Sequence, residues 1–332
     1  MRWGILAWGA ALALGSCSAA PGPSPLDAVV PPILERDHIP GAVILIGDPE
    51  TVSYRRAFGT ASLGTIFDLA SCTKVVGTTT AALKLVEEGR IALADPLGKY
   101  LPCFEGRPIT LRDLLLHRSR LPAYLTPHAT TPEEILSEFA REKPLKEETT
   151  YSCLNMISLG RVVELASGMP LGEYLAKTVF VPLGMKDTGY RPDPARCAPT
   201  TPEVVGRVHD PLARTYMTAD HHSGNAGLFS TGDDLGIFCR ALLAGKILKP
   251  ETLELQWTPV PGESTHRRGL GWDVFESRPW APGVGHTGFT GTLLWIDPAK
   301  KRWLVLLTNR TYHGEKTDVR ALREAVLRVV NP

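Results

Sequence analysis

The stretch Asp68–Gly77, "DLASCTKVVG", is where the chain begins to declare its fold. It sets Ser71 three residues before Lys74, and the residues that follow, "TKVVGTTTAALKLVEEG", have helical character with Gly89 placed to stop the helix. If Ser71 opens that helix, its hydroxyl lies at the positive end of the backbone dipoles, where a developing alkoxide is favoured. Lys74 then falls on the same face, one turn along. A lysine held near cationic or apolar groups can lose its proton and serve as base for the serine. Serine is equally a favoured helix cap and lysine an ordinary surface residue, so the pair alone leaves both readings open.

Two later segments add chemistry. Tyr151 opens "YSCLNMISLG", immediately before a helical pattern, and a phenol there can relay a proton to a leaving group if neighbouring cations lower its pKa. Gly285–Gly291, "GHTGFTG", sets His286 and two threonines between glycines that let backbone approach a substrate closely.

These three segments, in this order and at these separations, resemble the serine β-lactamase and penicillin-binding protein superfamily, in the branch of class C β-lactamases, D-alanyl-D-alanine carboxypeptidases and family VIII esterases. Further matches are "LADPLGKYLP", "ITLRDLLLHRSRLP", "LGEYLAKTVFVPLGMKDTGY", "AGLFSTGDDLGIFCRALLAG" and "GHTGFTGTLLWIDP" followed by "WLVLLTNR". Together they run from about Pro31 to the C-terminus. The resemblance implies Ser71 as the acylated nucleophile, Lys74 as its base partner and Tyr151 as the proton shuttle. His286, Thr287 and Gly288 would take the place of the family's Lys-Thr-Gly on the edge strand beside the site. Backbone N–H groups of Ser71 and of a residue near Phe289 would hold the oxyanion. Histidine in that position exchanges a permanent cation for one that titrates near neutrality.

The chain departs from the family pattern at several positions. Relatives carry Tyr-x-Asn or Tyr-Ser-Asp where this chain has Tyr151-Ser152-Cys153, so a thiol, a weak hydrogen-bonding group, replaces an amide or carboxylate. Asn155 matches a second family asparagine and joins Cys153, Thr287, Gly288 and Phe289 as a candidate substrate contact. Arg120 stands where relatives mostly have glycine, and Asn225 where close relatives often have histidine. These changes rank β-lactam turnover below ester or peptide cleavage. The alternative expectation is a penicillin-binding or peptidoglycan-sensing lipoprotein that no longer turns over.

Strand patterns near both ends, "AVILIGD" and "SYRRAFG" early and "GLGWDVF", "GTLLWIDP" and "RWLVLLTN" late, enclose a helical middle. The expected fold is α+β, β-lactamase/transpeptidase-like: an antiparallel sheet completed by both termini (about 33–72 and 227–332) with an inserted helical lobe (about 73–226). The opening "MRWGILAWGAALALGSC" reads as a secretion signal over 1–16 whose end resembles a bacterial lipobox, with Cys17 as the lipidated residue and 17–32 as a tether. Ser18 after it resembles the outer-membrane sorting pattern, which places the protein in the cell envelope as a lipid-anchored, periplasm-facing protein. Lys plus Arg 36 against Asp plus Glu 35 gives a net charge of +1, which offers nucleic acid no electrostatic footprint. The partners expected are a small ester or a peptidoglycan peptide, and the membrane through the anchor. The five cysteines after Cys17 form no C-x-x-C pair, the His209-Asp210 and His221-His222 dipeptides lack a ligand spacing, and neither a metal nor an organic cofactor is expected.

Overall fold

The computed structural model describes residues 24–147, 149–260, 267–277, 279–314 and 317–331. The signal segment, Cys17 and Ser18 lie outside the described residues. A seven-stranded sheet forms the centre, built from β1 (Gly41–Gly47), β2 (Val52–Gly59), β5 (Arg267–Arg268), β6 (Asp273–Phe275), β7 (Gly283–Thr287), β8 (Leu293–Asp297) and β9 (Arg302–Thr308), in the order β2-β1-β9-β8-β7-β6-β5. Every neighbouring pair is antiparallel. A separate short pair, β3 (Phe67–Asp68) with β4 (Phe229–Ser230), leads into the segment that carries Ser71. The sheet is completed by both ends of the chain, as the sequence led us to expect, because β1 pairs with β9 from Ala42↔Thr308 to Gly47↔Trp303.

The central strands read as nearly unbroken apolar runs because both faces of the sheet are covered. Ala42 and Ile44 of β1, Leu293 and Trp295 of β8, and Leu304 and Leu306 of β9 face one cluster, which is closed by the helices Pro25–Arg36 and Arg320–Val330. The alternate residues Val43, Leu45, Leu294, Ile296, Trp303, Val305 and Leu307 face the helix Gly232–Leu243 and the helical lobe. Period-2 alternation therefore sorts one strand's side chains between two cores.

The N-terminal helix revises one boundary. Residues 25–32, expected to belong to the tether, form its first two turns. Ser24 caps it: its hydroxyl accepts from Leu26 N, while the Asp27 carboxylate accepts from Ser24 N at 3.1 Å. Leu26, Val30 and Leu34, four residues apart, are all buried. Pro31 and Pro32 are tolerated because both lie on the solvent side.

The helical lobe begins just after β3. Ala70–Cys72 forms a 3-10 turn, Lys74–Thr79 a π-helical turn and Thr80–Glu87 a regular helix, which ends at Gly89 with φ +69° as its spacing predicted. Arg120, at the position where the resemblance implies glycine in most relatives, adopts φ +60°, the left-handed region in which a glycine carries no side-chain penalty.

Trp303 is fully buried between the sheet and the helix Gly232–Leu243, its indole N–H donating to Asp48 O at 2.8 Å. Trp303→Ala should destabilise the fold by about 3–5 kcal/mol, read as a lowered denaturation midpoint. Because Trp303 lines neither cavity beside Ser71, the change should leave kcat of the folded fraction unchanged.

Candidate active site

The segment carrying Ser71 is held under constraint. The buried carboxylate of Asp68 accepts from Ala70 N at 2.8 Å and from His209 N at 2.7 Å, and between these anchors Ala70 takes φ +45°. Such a backbone costs about 1–3 kcal/mol and persists where the surroundings over-determine it. Burial pushes the Asp68 carboxyl up to about 6, against the two N–H bonds that favour its charge. The Ser71 hydroxyl caps no backbone N–H. It accepts instead from Lys74 Nζ at 3.0 Å, and Lys74 Nζ donates also to the Asn225 carbonyl at 2.8 Å.

Lys74 is fully buried, which rules out the surface-lysine reading. Burial opposes its ammonium, but the Cys153 thiol and Tyr151 phenol facing it outweigh that and hold its proton above the ordinary lysine range. The ammonium lies 5.1 Å from the centre of the Tyr151 ring, and the Arg268 guanidinium sits at the same distance from that ring. The Tyr151 phenol faces both Lys74 and Ser71. Burial raises its phenol pKa, and the Lys74 charge opposes that only in part. At neutral pH the resting pair is an ammonium beside a phenol.

Behind Tyr151 lies His117, its ring centre 4.8 Å from that of the tyrosine. His117 Nδ1 accepts from Ser152 N at 3.1 Å and faces Asn155 Nδ2 at 3.1 Å, while Asn155 Oδ1 accepts from Ser119 Oγ at 2.5 Å. Burial, then the Arg268 and Lys74 charges, drives the His117 pKa well below the usual imidazole value. The expectation that Asn155 meets the substrate is corrected. It is fully buried and holds His117 instead, because its place on the helix Cys153–Ser167 turns it away from the cleft.

His286 and Thr287 end β7. That strand is not at the edge of the sheet, since β6 pairs beside it, but the pairing stops at Asp273↔Gly285 and leaves the His286–Thr287 end open to the cleft. The turn that follows is tied to the serine segment: Thr290 Oγ1 donates to Asp68 O at 2.7 Å, Thr292 Oγ1 to Leu69 O at 3.0 Å, and Cys72 Sγ to His286 O at 3.3 Å. Gly288 has no room for a side chain, because a Cβ would sit 2.0 Å from Thr292 Oγ1. His286 Nδ1 donates to Thr287 O at 2.8 Å, so the buried, unpartnered Nε2 carries the lone pair. The expectation that His286 titrates near neutrality is corrected. Burial first, with the Lys74 and Arg268 charges, lowers it to about 4, although Asp273 pulls the other way.

Ser71, Tyr151 and Phe289 stand between two cavities. A cleft of about 630 Å³ runs past Arg268, Thr287 and Gly288 toward the start of the C-terminal helix. A smaller arm of about 310 Å³ is lined by Tyr124, Cys153, Pro211 and Ala226. Phe289 is 47% exposed between them, stacked on His209 and under Arg310. Arg268, paired with Asp273 at 2.6 Å, and the Asn225 carbonyl had no motif in the sequence to point to them. His221 pairs with Glu164 at 2.9 Å and His222 stacks on Tyr190, far along the chain from the serine segment, and Cys72, Cys103, Cys153, Cys197 and Cys239 are free.

A covered antiparallel sheet, an inserted helical lobe and a serine–lysine–tyrosine cluster at their junction define the β-lactamase/transpeptidase class of fold. The Beta-lactamase family model matches residues 26–327, and the chain belongs to that family. It is 28% identical to "N-acetylmuramyl-L-alanine amidase" of Bacillus subtilis over 84% of this chain and 80% of that one. It is 31% identical to a "Putative D-alanyl-D-alanine carboxypeptidase" of Salmonella schwarzengrund over 76% of this chain and 71% of the other. Among solved structures it resembles "EstCE1, a hydrolase with promiscuous acyltransferase activity", with a TM-score of 0.75 and 24% identity over 91% and 96% of the two chains, a likeness of fold.

Because the folded pKa of His286 lies below the unfolded imidazole value of about 6.5, the unfolded chain binds this proton first as pH falls. Its contribution to stability is therefore full above about pH 6.5 and is lost as pH drops toward 4. His286→Gln should flatten the decline of Tm between pH 6.5 and 4 relative to the parent chain. A parallel decline in both proteins would contradict the buried neutral imidazole.

Proposed function

We propose that this protein is a serine hydrolase that works through an acyl-enzyme on Ser71 and cleaves a small ester or a D-Ala-D-Ala-type peptide. The observation that carries the reading is the 3.0 Å contact between the fully buried Lys74 ammonium and the Ser71 hydroxyl, placed where two cavities meet. A lone buried ammonium is costly, and one spent on a serine hydroxyl makes physical sense where that oxygen becomes negative.

The chemistry follows from the protonation states. Lys74 donates to Ser71 Oγ, so the hydroxyl proton is free to point at the Tyr151 oxygen. As Oγ attacks the substrate carbonyl, Tyr151 takes that proton and passes its own to the leaving group, while Lys74 remains charged and offsets the negative charge crossing the phenol. The base role expected for Lys74 thus becomes an electrostatic one. The N–H groups of Ser71 and Phe289 receive the oxyanion. Water then enters by the same relay in reverse and releases the acid. The small arm takes the acyl side chain, and the cleft past Arg268 takes the departing portion. His286 Nε2 is an acceptor for a substrate N–H or O–H. Cys17 would tether this domain to the envelope, where peptidoglycan peptides are at hand.

The soluble form starting after Cys17, incubated with p-nitrophenyl butyrate and separately with a fluorescent penicillin, tests this. Ester release and a covalent mass increase should both be present in the parent chain, and kcat should fall by about 10⁴-fold or more in Ser71→Ala, with Lys74→Ala nearly as low. Retained turnover in Ser71→Ala would reject the assignment.

Cys153 carries a second, narrower expectation. It lines the small arm as a buried thiol where the relatives place an amide or carboxylate, a contact that amide substrates use more than esters do. Cys153→Asn should raise the rate on a D-Ala-D-Ala peptide or a β-lactam several-fold relative to the ester. An unchanged ratio of the two would show that the thiol does not set the preference.

A further inference from the structure

The turn after β7 places Phe289 against the cleft, and among the described residues its N–H donates to no backbone carbonyl. The other end of the same peptide group is the Gly288 carbonyl. It accepts from Gly291 N at 3.1 Å and from Arg323 Nη2 at 2.8 Å, and that same nitrogen donates to Thr292 O at 2.9 Å. Arg323 belongs to the C-terminal helix Arg320–Val330 and lies partly buried beneath the turn. Burial lowers its pKa only to about 10, so it is a cation at neutral pH. A neighbouring arginine fixes the next carbonyl: Arg310 Nε donates to Phe289 O at 2.7 Å.

Resting on the reading of Ser71 as nucleophile, we propose that Arg323 is a positioning residue that polarises the Gly288–Phe289 peptide group and so strengthens Phe289 N–H as an oxyanion donor. A hydrogen bond from a charged donor to an amide oxygen draws electron density along the C–N bond and leaves the N–H more positive. Such polarisation is larger in a low-dielectric surround. The gain appears where negative charge develops, on the tetrahedral intermediate, and hardly at all on the neutral carbonyl of the ground state. Arg323 also ties Gly288 O to Thr292 O through one nitrogen, which fixes the direction of the N–H. Packing alone does not account for a guanidinium here, since an apolar side chain of the same length would fill the space without placing a charge against two carbonyls.

The test uses Arg323→Gln, which keeps a neutral donor, and Arg323→Lys, which keeps a cation, with butylboronic acid as a tetrahedral anion mimic on Ser71. In Arg323→Gln, kcat for p-nitrophenyl butyrate should fall about tenfold with KM within about twofold, since removal of a whole oxyanion donor costs about 10²–10³-fold. The boronic acid Ki should rise by the same factor as kcat falls, and Arg323→Lys should recover most of both. A folded Arg323→Gln protein with unchanged kcat and Ki overturns the proposal, as does a kcat loss that leaves Ki unmoved. Should the Gln variant fail to fold, the Lys variant decides. A partly buried lysine sheds its proton at lower pH than arginine, so its kcat relative to the parent chain should drop as pH rises toward 10, and a ratio independent of pH overturns the proposal. Failure of the underlying reading looks different: the parent chain itself would then show no Ser71-dependent inhibition by the boronic acid.

Discussion

A charge taken fully out of water must be met on every side, and the Lys74 ammonium imposes that demand on the whole molecule. Ser71 Oγ and the Asn225 carbonyl accept from it and the Tyr151 ring lies 5.1 Å away, and these three groups come from distant parts of the chain. The serine arrives on the turn after β3, the carbonyl on the loop that leads to β4, and the phenol just ahead of the helix Cys153–Ser167. The β3–β4 pair, short as it is, registers two of these against each other. Losing either acceptor would leave one of its N–H groups buried without a partner, so the cluster helps to hold this junction together as well as being placed by it.

The wide sheet supplies the rigidity that this arrangement needs. β7 is pinned by β8 along its length and by the turn hydrogen bonds that reach across to Asp68 and Leu69, so the backbone beside Ser71 moves only with the core. The C-terminal helix closes one face of the sheet with Leu322, Val326 and Leu327, and its first turn brings Arg323 under the same backbone. Packing and chemistry thus share one element. The apolar side of the helix fixes its position, and that position delivers the guanidinium.

What can be read in the sequence divides along the same line. Ser71, Lys74, Tyr151 and His286 stand out because each sits in a short local pattern with a chemical meaning, and the sheet is visible as apolar runs at both ends. Asn225 acts through its carbonyl, which any residue would carry, and so leaves no mark in the sequence. Arg268 and Arg323 are single arginines whose meaning lies in which carbonyl or ring they meet across the fold. The first turns of the N-terminal helix read as tether because Pro31 and Pro32 weigh more than the four-residue spacing of Leu26, Val30 and Leu34. Neutral imidazole at His286 is equally hidden, because a residue type fixes only the ordinary pKa, and the burial and nearby charges that shift it exist only in the fold.

That neutrality fits the electrostatics of the cleft. Lys74 and Arg268 already flank Tyr151, and Arg323 lies beneath the turn beyond. A further cation on His286 would be repelled by the first two, which is part of why its proton is lost. Asp273 takes up Arg268, and the charge in contact with Ser71 is the buried ammonium, which in the proposed reaction lies where negative charge would grow on Oγ and on the phenol. On that reading the ammonium's field would act on the reacting atoms themselves.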